Sequence, residues 1–235
     1  MGNDSSKKVA ELPNASKKDE HSVVDHDVES LLEANTLKEF YAGNPVGLFQ
    51  EWYKDAFKHK VVEPFLMSLA TCGQGSKPSV RVVSLGDVNE KGFVFGTNVK
   101  TRKVREIEEN SHVAASFYWT KLSRTVRVEG QVEEFEDNGK TFHAWPRNIQ
   151  IEEHSALDPD TPLEGTREAL IDEMQSLMEK FADVDVIPQP DTIKVYVIIP
   201  EVIEFCQAYE NLPHIRVTFA RDSPESEWRY TFQNR

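Results

Sequence analysis

Short strand-like segments separated by tight turns dominate the middle of the chain. Residues 65–71, 80–88 and 93–97 are three such runs, and turn residues such as Gly, Asn and Ser separate them. Residues 112–119 and 125–135 continue the series, and polar and apolar residues alternate in the last of these runs. Strands that follow one another through hairpin turns pair in antiparallel fashion. The pattern therefore predicts a mainly antiparallel barrel or sandwich with a few attached helices.

Helical spacing interrupts this series in three places. Apolar residues recur at helical intervals around Trp52 and again over residues 170–181. Thr101 is a candidate N-cap for a shorter helix between two of the predicted strands. A further short helix is predicted within residues 136–148, and residues 151–166 are predicted to form a loop. The remaining strands are predicted at residues 193–199, 202–208, 215–220 and 228–232.

Composition excludes several classes of function. The 235 residues include 27 Lys and Arg against 40 Asp and Glu, a formal net charge of −13. Because nucleic acids require a basic surface, DNA or RNA is not an expected partner. The two cysteines lie far apart without metal-ligand spacing, so we expect half-buried free thiols and no metal site. No apolar run approaches the length of a membrane span, and we expect a soluble, cytoplasmic protein.

The beginning of the chain differs from the rest. Residues 1–40 are polar and charged and contain too few apolar side chains to form a core, so we expect a mostly disordered acidic tail. Residues 41–235 are expected to form one domain. The first six residues fit the pattern M-G-x-x-x-[ST], which indicates either N-myristoylation of Gly2 or a chance match. Membrane binding is expected only if Gly2 is acylated, and then reversibly.

Positive charge concentrates within residues 77–105, where seven Lys and Arg outnumber the acidic residues by five. Arg81 lies in an otherwise apolar strand, where a guanidinium needs an anionic partner. Arg102 and Lys103 lie in the first turn of the predicted helix, where the helix dipole and free N–H groups attract a phosphate. Two alternatives remain open: a Glu across the sheet for Arg81, and a solvated surface pair for Arg102 and Lys103.

A series of short motifs runs in fixed order between residues 44 and 216. The motifs are Asn44-Pro45 with Phe49 and Trp52, Ser68-Leu69-Ala70-Thr71, Pro78-Ser79-Val80-Arg81, Gly92-Phe93, Thr97-Asn98, Thr101-Arg102-Lys103, Phe117-Tyr118-Trp119, Arg124-Thr125-Val126-Arg127-Val128-Glu129-Gly130, Glu204-Phe205 and His214-Ile215-Arg216. In this combination the chain resembles the pyridoxamine 5′-phosphate oxidase family. The resemblance implies a homodimeric split β-barrel that binds flavin mononucleotide (FMN). It also implies oxidation of pyridoxamine or pyridoxine 5′-phosphate by oxygen, which yields pyridoxal 5′-phosphate and hydrogen peroxide in vitamin B6 metabolism.

The resemblance also assigns roles to individual residues. Those implied to bind the cofactor are Arg81, Val82, Val83, Ser84, Gly96, Thr97, Arg102, Lys103, Thr125 and Arg216. Among them, Thr97 and the helix start at Arg102 and Lys103 would hold the FMN phosphate. His214 and Arg216 are the implied catalytic residues, and Arg216 would reach the flavin from the second subunit.

Several positions depart from the family. Thr125 replaces a Gln that bonds the flavin, and Cys206 replaces a Trp beside it. The Lys that meets the substrate phosphate falls at Gly86. Its Tyr, Arg and Ser partners fall at Thr141, Trp145 and Ile149. Of an Arg-Leu-His run that covers the substrate, only His214 remains.

These departures leave three hypotheses open, because each lost contact to a phosphate removes about 1.5–3 kcal/mol of binding. The first is an FMN-dependent oxidase that acts on a small phosphorylated B6 vitamer. The second is a non-catalytic FMN-binding or scaffold member of the family. The third is a flavin reductase or oxidase whose substrate lacks a phosphate.

Overall fold

The computed structural model describes residues 43–155, 167–208 and 214–234. In this part of the chain, nine strands form one sheet in which every pair is antiparallel. The strands are β1 (Leu66–Cys72), β2 (Pro78–Ser84), β3 (Asp87–Val88), β4 (Phe93–Asn98), β5 (His112–Trp119), β6 (Arg124–Glu134), β7 (Ile193–Gln207), β8 (Ile215–Ala220) and β9 (Arg229–Asn234). The predicted N-terminal tail, with Gly2, lies outside the described residues.

The sheet divides at its longest strand. Its order is β2-β1-β5-β6-β7-β4-β3, and β8 pairs with both β7 and β9. β4 pairs with the first half of β7, over residues 193–198, whereas β8 pairs with the second half, over residues 202–207. The sheet therefore curls into two arms that share β7 and the neighbouring β6.

Three of the described helices lie at the positions that helical spacing predicts. The described helices are α1 (Pro45–Lys58), α2 (Arg102–Glu109), α3 (Lys140–His143), α4 (Arg147–Glu152) and α5 (Arg167–Lys180). Asn44 caps α1, since its side-chain oxygen accepts a 3.0 Å hydrogen bond from the Gly47 N–H. No helix among the described residues is both long enough and apolar enough to cross a bilayer.

The main core lies between α1 and one face of the sheet, which we call the inner face. Phe49 of α1 is fully buried, and its ring centroid lies 4.8 Å from that of Phe93 and 4.9 Å from that of Phe117. One row of side chains on the inner face is almost completely buried from β1 to β8: Leu69, Ala115, Val128, Ile203 and Phe219. The neighbouring row points to the opposite side, the outer face, and is Ser68, Ser116, Arg127, Glu204 and Thr218.

Two strand predictions were wrong for identifiable reasons. Residues 80–88 do not form one strand, because the chain changes partners at its midpoint: Leu85 donates its N–H to Phe65, and Gly86 donates to Val94. Residues 193–207 form one strand rather than two. β7 passes through Pro200, which lies opposite Gly130 at a β-bulge, so the missing proline N–H does not end the pairing.

The segment after β6 also differs in detail from its prediction. It contains α3 and α4 rather than one short helix, and α4 extends into the predicted loop as far as Glu152. Residues 156–166 of that loop lie outside the described residues. Cys72 and Cys206 are half-buried free thiols, as predicted.

Candidate functional site

A buried carboxylate joins the helix α2 to the strands β1 and β2. Glu106 is 8% exposed, and its Oε2 accepts hydrogen bonds from Thr71 Oγ1 at 2.5 Å and Ser79 Oγ at 2.6 Å. The same oxygen lies 3.3 Å from Arg81 Nη2, and Oε1 accepts from Arg102 Nε at 2.7 Å. Burial raises the pKa of Glu106, but the bonds from Ser79, Thr71 and Arg102 and the Arg102 charge outweigh it and lower the pKa to about 2. Glu106 is therefore ionised at neutral pH.

Arg81 takes its anionic partner from the helix and not from a neighbouring strand. Besides contacting Glu106, its Nη1 donates to the Leu69 carbonyl at 3.0 Å and to Thr71 Oγ1 at 2.6 Å. Nη2 also donates to Ser79 Oγ. The terminal N–H groups of Arg81 thus point to protein acceptors, so this residue adds charge and rigidity to the site.

Lys103 lies half-buried at the start of α2. Its Nζ donates to Thr97 Oγ1 and to Thr101 Oγ1, each at 3.0 Å. Thr101 precedes the helix as predicted, but its hydroxyl donates to the Asn98 carbonyl at 2.7 Å and makes no capping bond. The N–H groups of Arg102 and Lys103 therefore keep their capacity to bind an anion, whereas that of Val104 donates to the Thr101 carbonyl at 3.1 Å.

We call Arg81, Arg102, Lys103 and the hydroxyl of Thr97 the cation group. With Glu106 ionised, its three cations leave a net charge of +2. That charge balances a phosphate dianion, and the donors present are those that phosphates bind: guanidinium, ammonium, hydroxyl and backbone N–H. The donor set fits the phosphate end of a nucleotide cofactor.

A second carboxylate, Glu153, lies beside the cation group. Its Oε2 accepts a 3.2 Å hydrogen bond from Asn98 Nδ2. Burial has the largest effect on Glu153 and raises its pKa. The Asn98 bond and the Lys103 charge lower the pKa, the Glu152 charge raises it, and the net change is a rise. A negative charge on Glu153 would oppose an anion at Lys103.

Two further predicted site residues, Thr125 and Arg216, lie on the outer face. Thr125, Cys206 and Arg216 are aligned across β6, β7 and β8. Arg216 Nε is shielded from solvent with no hydrogen-bond partner among the described residues, and lies 3.7 Å from Glu204 Oε1. His214, immediately before β8, is exposed. A single chain does not bring this row to the cation group, because the two lie on opposite faces of the sheet.

Val82, Val83 and Ser84 complete the strand that carries Arg81. Val82 faces outward and is 60% exposed, whereas Val83 and Ser84 are half-buried. Their register on β1 is continuous, since Val82 pairs with Ser68. The backbone of these residues therefore runs along the sheet beside the cation group.

Two glycines near the cation group are covered by side chains of the α3 region. A Cβ on Gly86 would lie 2.5 Å from Thr141 Cγ2, and a Cβ on Gly96 would lie 2.7 Å from Trp145 Cζ2. Thr141 is 2% exposed, and its hydroxyl has no hydrogen-bond partner among the described residues. The space beside both glycines is therefore occupied.

Comparison with known proteins assigns the chain to a family. A family model described as Pyridoxamine 5′-phosphate oxidase matches residues 53–180. The chain is 32% identical over 197 residues to the pyridoxine/pyridoxamine 5′-phosphate oxidase of Salinibacter ruber, which covers 83% of this chain and 91% of the relative. Identity to the protein of the same name from a Psychrobacter species is 34%, with the same coverage. The chain belongs to the pyridoxamine 5′-phosphate oxidase family.

Solved structures confirm the split-barrel fold of that family. PhzG from Burkholderia lata, solved in complex with tetrahydrophenazine-1-carboxylic acid, superposes with a TM-score of 0.74 at 24% identity, covering 82% of this chain and 93% of PhzG. A pyridoxamine 5′-phosphate oxidase-related, FMN-binding protein from Nostoc punctiforme gives a TM-score of 0.62 at 14% identity, covering 80% and 97%. The predicted split β-barrel is therefore confirmed.

Within this family fold, sequence reasoning missed Glu106. The basic segment ends at residue 105, one position before the carboxylate that pairs with two of its arginines. One signal was present, since Arg102 and Glu106 are four residues apart on a helix, a spacing typical of an ion pair. The bond between Asn98 and Glu153 joins residues 55 positions apart and leaves no local signal.

Proposed function

We propose that the protein binds FMN and is an FMN-dependent oxidase of the pyridoxamine 5′-phosphate oxidase type. The observation that carries this proposal is the cation group. The family resemblance associates Thr97, Arg102 and Lys103 with the FMN phosphate. Lys103 bonds directly to Thr97, Glu106 links Arg102 to Arg81, and the net charge of the cation group balances a phosphate. When bound, FMN would accept a hydride from the substrate and pass electrons to oxygen.

The residues of this chain would bind and orient the two reactants. Lys103, Arg102 and Thr97 would hold the FMN phosphate, and the strand from Arg81 to Ser84, with Gly96, would border the flavin. On the outer face, Thr125 and Arg216 would contact the flavin, and His214 would flank the substrate. No metal is required by this arrangement.

Homodimer formation is part of the proposal, because only a second copy can bring outer-face residues to the cation group. Three apolar side chains on this face are exposed: Val80 by 67%, Val82 by 60% and Tyr118 by 68%. Burial of such side chains against another copy is favourable. Sedimentation equilibrium of the full chain tests this, and a monomer at micromolar concentration would contradict it.

We propose a small phosphorylated B6 vitamer as the substrate. A specific observation favours a second candidate, a non-catalytic FMN-binding or scaffold protein. The family's phosphate-binding Lys corresponds to Gly86, and Thr141 leaves no room there for a side chain. A substrate without a phosphate would not need the missing Lys. The test described next includes such a substrate, and its turnover would favour this third possibility.

The test has two steps. The visible spectrum of the purified chain is recorded before and after addition of FMN. The flavin-loaded protein is then assayed for hydrogen peroxide with pyridoxamine 5′-phosphate, pyridoxine 5′-phosphate and unphosphorylated pyridoxamine. Turnover of a phosphorylated vitamer is expected. FMN uptake without turnover would support the non-catalytic candidate, and no FMN uptake would reject FMN-dependent function.

Two predictions concern residues or properties outside this site. We propose that the protein is cytoplasmic. The motif at Gly2 has two alternatives, N-myristoylation and a chance match, and the intact mass of protein isolated from its own cells distinguishes them. An unmodified N-terminal residue would reject N-myristoylation.

A further inference from the structure

Arg102 is held by only one end of its guanidinium. Its Nε donates to Glu106 Oε1 at 2.7 Å, while its side chain remains 57% exposed. Neither Nη atom forms a hydrogen bond to any residue in the described ranges. The guanidinium is therefore fixed in direction, and its two terminal nitrogens are available to an external acceptor.

Glu106 is itself rigidly held. Its side chain is 11% exposed, and its other oxygen takes the bonds from Thr71, Ser79 and Arg81. These three partners belong to strands, so the orientation of Glu106 is set by the sheet. Through its bond to Nε, the carboxylate thus fixes the Arg102 side chain relative to the sheet.

We infer that Glu106 is a positioning residue that directs the two Nη groups of Arg102 toward the phosphate of bound FMN. This inference rests on the proposed function, and it adds a residue that touches neither flavin nor substrate. A planar guanidinium binds two phosphate oxygens at once only when its fork faces them. Holding Nε in place leaves that fork with little rotational freedom to lose on binding.

Electrostatics alone predicts the opposite effect for Glu106. Neutralising its carboxylate would raise the charge of the cation group from +2 to +3 and strengthen the attraction for a phosphate. Loss of positioning would instead let Arg102 turn into solvent and weaken the attraction. The sign of the change in FMN affinity therefore separates the two explanations.

Glu106→Gln is the informative substitution because it preserves size. An amide has only one accepting oxygen, so Gln cannot accept from Arg102 and from Thr71, Ser79 and Arg81 at the same time. Arg102→Lys is the second variant, since it keeps the charge but has neither the Nε anchor nor the fork. Glu108→Gln is the matched control, because Glu108 is exposed on the same helix and loses the same charge.

The experiment measures dissociation constants for FMN and for riboflavin, which lacks the phosphate, by quenching of flavin fluorescence with the full chain. We expect Glu106→Gln to weaken FMN binding about tenfold and to change riboflavin binding less than twofold. Arg102→Lys should do the same, and the double variant should be no more than twofold worse than either single variant. Glu108→Gln should bind FMN as the wild type does or slightly more tightly.

Each outcome decides the inference. Unchanged or tighter FMN binding by Glu106→Gln overturns it, and additive losses in the double variant show that Glu106 does not act through Arg102. If Glu106→Gln does not fold, Arg102→Lys decides alone. Arg102 is exposed, so this variant should fold, and wild-type FMN affinity in it overturns the inference. Wild-type protein that binds FMN no more tightly than riboflavin rejects the proposed phosphate site and the inference together.

Discussion

Removal of the Lys103 ammonium is expected to cause a large, phosphate-specific loss of FMN binding. The ammonium is already fixed by the hydroxyls of Thr97 and Thr101, each 3.0 Å away, so little side-chain entropy is lost when a phosphate binds. A charge-assisted hydrogen bond contributes about 1.5–3 kcal/mol. For Lys103→Gln we expect a loss of about 2 kcal/mol, which corresponds to about a thirtyfold rise in the dissociation constant.

The assay is a fluorescence titration with FMN and with riboflavin at fixed ionic strength. Lys100→Gln provides the control, because Lys100 is exposed and the substitution removes the same charge two residues before α2. That control should change FMN binding less than twofold. If wild-type protein binds FMN and Lys103→Gln binds it equally well, Lys103 does not contact the phosphate. If FMN and riboflavin binding weaken equally, Lys103 maintains the shape of the site instead.

Three further predictions concern stability. Phe49→Ala should lower the free energy of unfolding by about 4 kcal/mol, because the ring is fully buried among aromatic neighbours, whereas exposed Phe57→Ala should cost less than about 1 kcal/mol. Gly92→Ala should cost more than about 2 kcal/mol, because φ at Gly92 is +150° and the added methyl would meet the Ile198 carbonyl. Glu153→Gln should raise the melting temperature at pH values above the raised pKa of the Glu153 carboxyl, and the gain should vanish as the pH falls below the ordinary value of 4.5.

Urea denaturation checks the first two substitutions, and thermal melting across pH checks the third. Equal losses for Phe49→Ala and Phe57→Ala would contradict the placement of Phe49 in the core. A Gly92→Ala variant as stable as wild type would show that the turn does not need its positive φ. For Glu153→Gln, the sign of the change in melting temperature is decisive. A raised carboxyl pKa means that the folded state favours the protonated form, so the charged form destabilises the fold as pH rises.

The strands were predictable where local sequence decides them. Hairpins such as β5–β6 combine alternating residues with a turn, so pairing partners are close in the chain. The break at Leu85 and Gly86 was not predictable, because it depends on a change of partner from Phe65 to Val94. The continuity of β7 through Pro200 likewise depends on Gly130, seventy positions earlier in the sequence.

The candidate site was predictable in its cations and not in its carboxylates. Arg81 could be recognised as a charge that needs a partner, yet its partner belongs to a helix that follows two strands later. The packing of Trp145 on Gly96 joins segments whose contact follows only from the fold. The family resemblance implies which residues hold the phosphate, whereas the connection from Arg102 to Arg81 through Glu106 follows only from the fold.

The bulge in β7 keeps the inner face continuous along the longest strand of the sheet, because it absorbs one extra residue. Glu201 is unpaired in the register with β6, since Gly130 pairs with Pro200 and Glu129 with Val202, although its side chain accepts a 2.8 Å hydrogen bond from Gln131. Before this residue even-numbered positions such as Ile198 lie on the inner face, and after it odd-numbered positions such as Ile203 do, while Val195 and Val197 are buried in a separate apolar cluster. Because paired residues share a face, deletion of Glu201 would leave Pro200 and Val202 opposite Gly130 and Glu129, and Arg216 would still face outward. A one-residue deletion is therefore accommodated at the bulge, whereas one within residues 202–207 would shift the register or turn the following side chains to the other face.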